Sequence, residues 1–111
     1  MHLSVTFKNL DSSDYLRDYI QGKLDRMEKL LEHPGNANAV LKLEHQKRIV
    51  EINLTSDRLN INAKEENDDM QAAIDLVMDK LKIQVTKRKE KIQSRRTRHR
   101  REEEAISASA K

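Results

Sequence analysis

The chain of 111 residues has room for one domain, and its 36% hydrophobic residues with only three aromatics (Phe7, Tyr15, Tyr19) allow a modest core. It has no cysteine, no apolar run of membrane-spanning length and no signal-peptide pattern, which excludes disulfides and thiolate metal sites and makes a cytoplasmic protein the expectation. The net charge of +3 is segregated: residues 1–81 carry eleven basic and fifteen acidic side chains, whereas residues 82–101 carry ten basic ones against a single acid, Glu90.

"HLSVTF" sets Leu3, Val5 and Phe7 on one side and His2, Ser4 and Thr6 on the other, the period of a half-buried strand. "DSSD" offers capping residues to a helix whose apolar positions, Leu16, Tyr19, Ile20, Leu24, Met27, Leu30 and Leu31, recur every three or four residues. Pro34 and Gly35 in "HPGN" end it. Three alternating runs follow, "NAVLKLEHQ", "VEINLTS" and "LNINAKE", joined near Gln46–Arg48 and Ser56–Arg58 by links short enough for hairpins. A second helix is predicted from near Asp68, with acids in its first turn and an apolar face of Met70, Ala73, Ile74, Val77, Met78, Leu81 and Val85. Beyond Val85 only Ile92 continues that face, so the helix is expected to leave the core, and "EEEAISASAK" reads as disordered.

The order is β-α-β-β-β-α, an α+β fold. Strands with one apolar and one polar face predict antiparallel pairing, hence a four-stranded, antiparallel-rich sheet with both helices packed on one face. That arrangement resembles a double-stranded RNA-binding domain, which reads phosphates and shape. Residues 1–93 form the predicted domain and 94–111 a basic, then acidic, tail. The outer face of the sheet (Ser4, Thr6, Lys42, Glu44, Glu51, Asn53, Asn60, Asn62) is a wet surface that needs no functional explanation.

At 100° per residue Lys80, Gln84, Lys87 and Lys91 form one stripe beside the apolar face of the second helix, broadened by Arg88 and Lys89. Lys23, Arg26 and Lys29 share a flank of the first helix, while Asp14, Asp18, Asp25 and Glu32 lie away from it. If the helices pack side by side with these flanks exposed, they make a two-helix basic groove. Helical Lys and Arg are most often simply solvated, and for the first helix alone that is sufficient. The second helix is different, because its cations repel one another unless a polyanion neutralises them. Arg95 and Arg96, with Arg98, Arg100 and Arg101, suit a flexible phosphate binder. Membrane binding would need large apolar residues opposite the charge, and past Val85 there is only Ile92.

Nothing points to catalysis, a cofactor, a metal or a small-molecule substrate. His2, His33, His45 and His99 lack ligand spacing, Ser12–Ser13 has no neighbouring base, and capping or solvation accounts for Asp68–Asp69 and for Asp75 with Asp79.

"DDMQAAIDLVMDKLKIQVTKRKEK" resembles the signature of the ribosome hibernation promoting factors and ribosome-associated translation inhibitors. Their second helix reads Asp-Met-Tyr-Ala-Ala-Ile-Asp, then Asp-Lys-Leu, a Gln and a ladder of Lys. Asp69, Met70, Ala72, Ala73, Ile74, Asp75, Asp79, Lys80, Leu81, Gln84, Lys87, Lys89 and Lys91 match it. Lys23, Leu24, Arg26, Met27 and Glu28 are similar to the first helix of the family. Gln71 stands where the signature has Tyr, and Ile83 where Arg often precedes the Gln. The resemblance, over roughly residues 1–92, implies a non-enzymatic factor of stress and stationary phase. Its partner would be the small ribosomal subunit and its ribosomal RNA, with the messenger and transfer-RNA channel occupied by the folded body. It implies either a short form or the N-terminal part of a long one; pairing of ribosomes would then fall to other factors or to a C-terminal domain. A regulator acting through a protein partner and a general RNA chaperone are the competing expectations.

Overall fold

The computed structural model describes residues 1–31, 33–56 and 59–88. Strand β1 (His2–Lys8) leads into α1 (Asp14–Glu28), followed by β2 (Asn36–Glu44), β3 (Lys47–Ser56), β4 (Leu59–Asn67) and α2, helical over residues 70–88. The β-α-β-β-β-α order is the expected one. The strands form a single sheet in the order β1-β2-β3-β4.

Pairing departs from the expectation at one place. β2–β3 and β3–β4 are antiparallel, but β1 runs parallel to β2, from His2 beside Asn36 to Lys8 beside Lys42. Alternation along a strand reports which faces are wet and dry, and it is the same for either direction of pairing. The direction is set by the connection: β1 is joined to β2 through a helix, which returns the chain to the end of the sheet where β1 began.

Three rows of side chains across the sheet face the helices: Leu3, Ala37, Leu54 and Ile61; Val5, Ala39, Ile52 and Ala63; Phe7, Leu41, Val50 and Glu65. On this face lie Ile20, Leu24 and Met27 of α1 and Met70, Ala73, Ile74, Val77, Met78, Leu81 and Val85 of α2, all buried in one core with the central strands. Burying one such large aliphatic side chain contributes about 1.5–3 kcal/mol. Leu3, Val5 and Phe7 are half-buried, because β1 is an edge. The opposite face is polar as expected, with Ser4, Asn38, Asn53 and Asn62 aligned in one row. Ile49, in register with Lys42 and Glu66 on that face, is nevertheless 8% exposed.

Local chemistry sets the boundaries. The Ser13 side chain accepts the Leu16 N–H at 3.2 Å and starts α1. Asp69 caps α2 by accepting the Ala72 N–H at 3.2 Å, and Asn67 accepts the Asp69 N–H at 3.0 Å. Gly35 lies where a Cβ would come within 2.9 Å of the Thr55 carbonyl oxygen, while its own carbonyl accepts the His2 N–H at 3.2 Å. Glycine is needed there for space. The first hairpin turns at His45–Gln46, one residue before the expected link, since Lys47 and Arg48 already pair with Glu44 and Leu43. The second link falls at residues 57–58, outside the described residues, as do the domain boundary at 93 and the tail.

Candidate nucleic-acid interface

Between the two helices a groove of about 260 Å³ is lined by Lys23, Arg26, Met27 and Leu30 from α1 and by Met78, Asp79 and Lys82 from α2. Its floor is apolar and its rims hold three cations and one acid. The rims have opposite origins in the sequence: on α1 they are the flank expected to be basic, and on α2 they are the flank opposite the predicted stripe.

Toward the N-terminal ends of the helices the groove is closed by a polar clasp. The Tyr19 hydroxyl donates to Asp75 Oδ1 at 2.5 Å, and Lys23 Nζ reaches the same oxygen at 3.0 Å. Lys23 also lies 5.1 Å above the Tyr19 ring. One turn earlier Gln71 Nε2 donates to the Tyr15 hydroxyl at 2.5 Å, and the Tyr15 and Tyr19 rings stack with centroids 6.3 Å apart. The electrostatics follow from these contacts. The Tyr19 hydrogen bond, then Lys23, hold the Asp75 carboxyl below its ordinary value. The bond to Asp75 raises the Tyr19 phenol, with desolvation adding to it, and raises Lys23 against a smaller opposing desolvation.

On its other flank α2 overlies the edge of β4. Lys80 pairs with Glu65 and donates to the Lys64 carbonyl at 3.4 Å; Gln84 donates to the Asn62 carbonyl at 3.4 Å. Lys80 and Gln84 therefore satisfy the carboxylate that ends a core-facing row and the open carbonyls of an edge strand. The two-helix groove does not include this stripe. Lys87 continues it, exposed, at helical spacing, and Arg88 and Lys29 are exposed as well. Among the described residues Arg26, Lys29, Lys82, Lys87 and Arg88 make no ion pair, so their charge is free for an external anion. Lys89, Lys91, Arg95 and Arg96 lie outside the described residues. Lys82, Tyr15 and Asp75 were missed by the periodicity argument. Lys82 could have been found by its place one turn after Met78 and Asp79, on the flank opposite Lys80.

The described residues hold no group of three or more His, Cys, Asp or Glu that could bind a metal, and no helix among them is long and apolar enough to cross a membrane.

Comparison with known proteins identifies this architecture. The profile of the Sigma 54 modulation protein / S30EA ribosomal protein family matches residues 3–93. The chain belongs to this family. Ribosome hibernation promoting factors are among its relatives. That of Azotobacter vinelandii is 35% identical over 91 residues, covering 82% of this chain and 85% of its own. That of Escherichia coli is 33% identical over 92 residues, covering 83% and 97%. Among solved structures, a ribosomal subunit interface protein from Coxiella burnetii superposes with a TM-score of 0.74 at 34% identity, covering 80% of this chain and 98% of that one. The Thermus thermophilus Protein Y N-terminal domain gives 0.73 at 31%, covering 78% and 98%. Gln71 is engaged with Tyr15, whereas Ile83 stands 54% exposed on the outer surface of α2.

Proposed function

We propose that this protein silences ribosomes by occupying the messenger and transfer-RNA channel of the small subunit, its helix pair against ribosomal RNA. The observation that carries the reading is the family match across residues 3–93, together with relatives named for ribosome hibernation. A ribosome-associated, translation-inhibiting role without catalysis follows from that kinship. The placement in the channel is supported by charge and form: a channel walled by phosphate attracts exposed Arg26, Lys29, Lys82, Lys87 and Arg88. A body whose two helices share one core with four strands can exclude other ligands by its bulk.

Sedimentation with small subunits at low and high salt, with and without messenger and initiator transfer RNA, tests this. Co-migration should weaken with salt and should fall when the competing ligands are bound first, because only open channels count toward apparent affinity. Binding unaffected by those ligands would place the site elsewhere on the ribosome. A chain that stays at the top of the gradient at every salt would leave regulation through a protein partner, the alternative that the first half of the family description favours. Equal affinity for free duplex RNA would indicate a general chaperone.

A further inference from the structure

Three side chains on one flank of α1 form a column with an open end. Lys23 lies over the Tyr19 ring, Tyr19 stacks on Tyr15 with the planes 14° apart, and Tyr15, last in line, is 65% exposed. An exposed tyrosine alone is ordinary. This one is held at its hydroxyl by Gln71, and the ring behind it is held by Asp75, so α2 fixes both. Gln71 donates to the Tyr15 hydroxyl, and the aromatic groups at this end of the helix pair come from α1.

The column continues into the basic groove. Arg26 follows Tyr15 by eleven residues on the same flank, roughly 16 Å along the helix axis. Lys82 faces it from α2 across the apolar floor. A fixed π surface followed by a line of cations suits an unpaired base and the phosphates attached to it. Paired RNA offers no free base face, and a protein partner would gain little from three cations on the rims. We infer that Tyr15 is a stacking platform for an unpaired RNA base, whose strand passes over the Tyr19–Asp75–Lys23 clasp toward Arg26 and Lys82 in the inter-helix groove. The inference rests on the RNA-binding reading given above and adds to it the class of RNA element that this end of the protein selects.

The test uses the full chain and its affinity for small ribosomal subunits. Tyr15→Leu should weaken binding roughly ten-fold, within the range for one lost base–aromatic stack. Tyr15→Phe keeps the ring and should stay within about two-fold of the original, well inside that stacking effect. Tyr15→Leu combined with Gln71→Tyr returns a ring to this end of the groove from α2 and should recover most of the loss. Thermal melting of each variant verifies the fold. The same variants against a free single-stranded oligonucleotide distinguish the sources: loss in both assays gives any unpaired base, and loss with subunits alone gives a base that ribosomal RNA holds in place. If Tyr15→Leu binds subunits like the original while Arg26→Gln with Lys82→Gln does not, the platform is overturned and the RNA-binding reading stands. A loss with Phe as large as with Leu also overturns it, because the hydroxyl contact would then be the cause. No binding of subunits by the unaltered protein overturns both readings.

Discussion

Asp75 is about half exposed, yet two groups of the facing helix converge on one of its oxygens. Replacing it with Asn removes the charge that Tyr19 and Lys23 share. The cost should be about 1 kcal/mol, low in the range for hydrogen bonds to a charged group because solvent screens a half-exposed site. Its pH dependence has a defined sign. The depressed Asp75 pKa contributes stability that is present above the ordinary carboxylate range and lost as pH falls through the folded value. The raised Tyr19 and Lys23 values contribute stability present below their ordinary values and lost as pH rises through the folded ones. Denaturant melts of the original and Asp75→Asn should therefore differ by a constant amount between about pH 5 and 9 and converge at both extremes. A difference that grows toward acid would refute the clasp. The sequence could not disclose this residue. As one of a pair of acids four apart on a helix surface, Asp75 looks like Asp79, and only the packing of α1 against α2 tells them apart.

The hairpin between β2 and β3 tells the same story for an element. His45 and Gln46 both have positive φ, 50° and 65°, the backbone of a two-residue type I′ turn. Neither residue type favours that conformation, and Asn-Gly does. His45→Asn with Gln46→Gly should stabilise the fold by about 1 kcal/mol or somewhat more, the strain of left-handed non-glycine residues being 1–3 kcal/mol each and partly offset by the entropy of glycine. Chemical denaturation would reveal it as a raised midpoint at unchanged slope. Because this turn lacks the usual signal, the hairpin was legible from the strands on either side and its corner only to within a residue. The α2 stripe shows a related limit. Helical spacing groups Lys80, Gln84, Lys87 and Lys91 on one flank, and Lys80 and Gln84 do share one, but spacing within a helix does not say which neighbour that flank meets. The flank meets β4, where Lys80 and Gln84 serve the sheet edge, and the groove takes its α2 cation from Lys82.

For the molecule as a whole, fold class was legible because six segments each carried one clear period. The expectation of a polyanionic partner rests on charge concentrated where the core ends. Residues 1–81 have more acids than bases, so the body carries only a local basic rim, and residues 82–101 dominate any net attraction to a polyanion. This separates two contributions that one affinity measurement would merge. On the proposed reading the body, with the groove and platform, would define the site, and the arginines at 95, 96, 98, 100 and 101 would add a sequence-tolerant pull. Changing these five to Gln in the full chain should lower the slope of log affinity against log salt by up to about 4, taking roughly 0.7–0.9 per neutralised phosphate. At low salt the variant should bind small subunits more weakly. At saturating occupancy it should still inhibit a translation extract in proportion to the ribosomes present, since exclusion depends on the folded body. An unchanged slope would show that these arginines touch no phosphate. Loss of inhibition at equal occupancy would show that the tail, and not the β-α-β-β-β-α body, is the element that blocks translation.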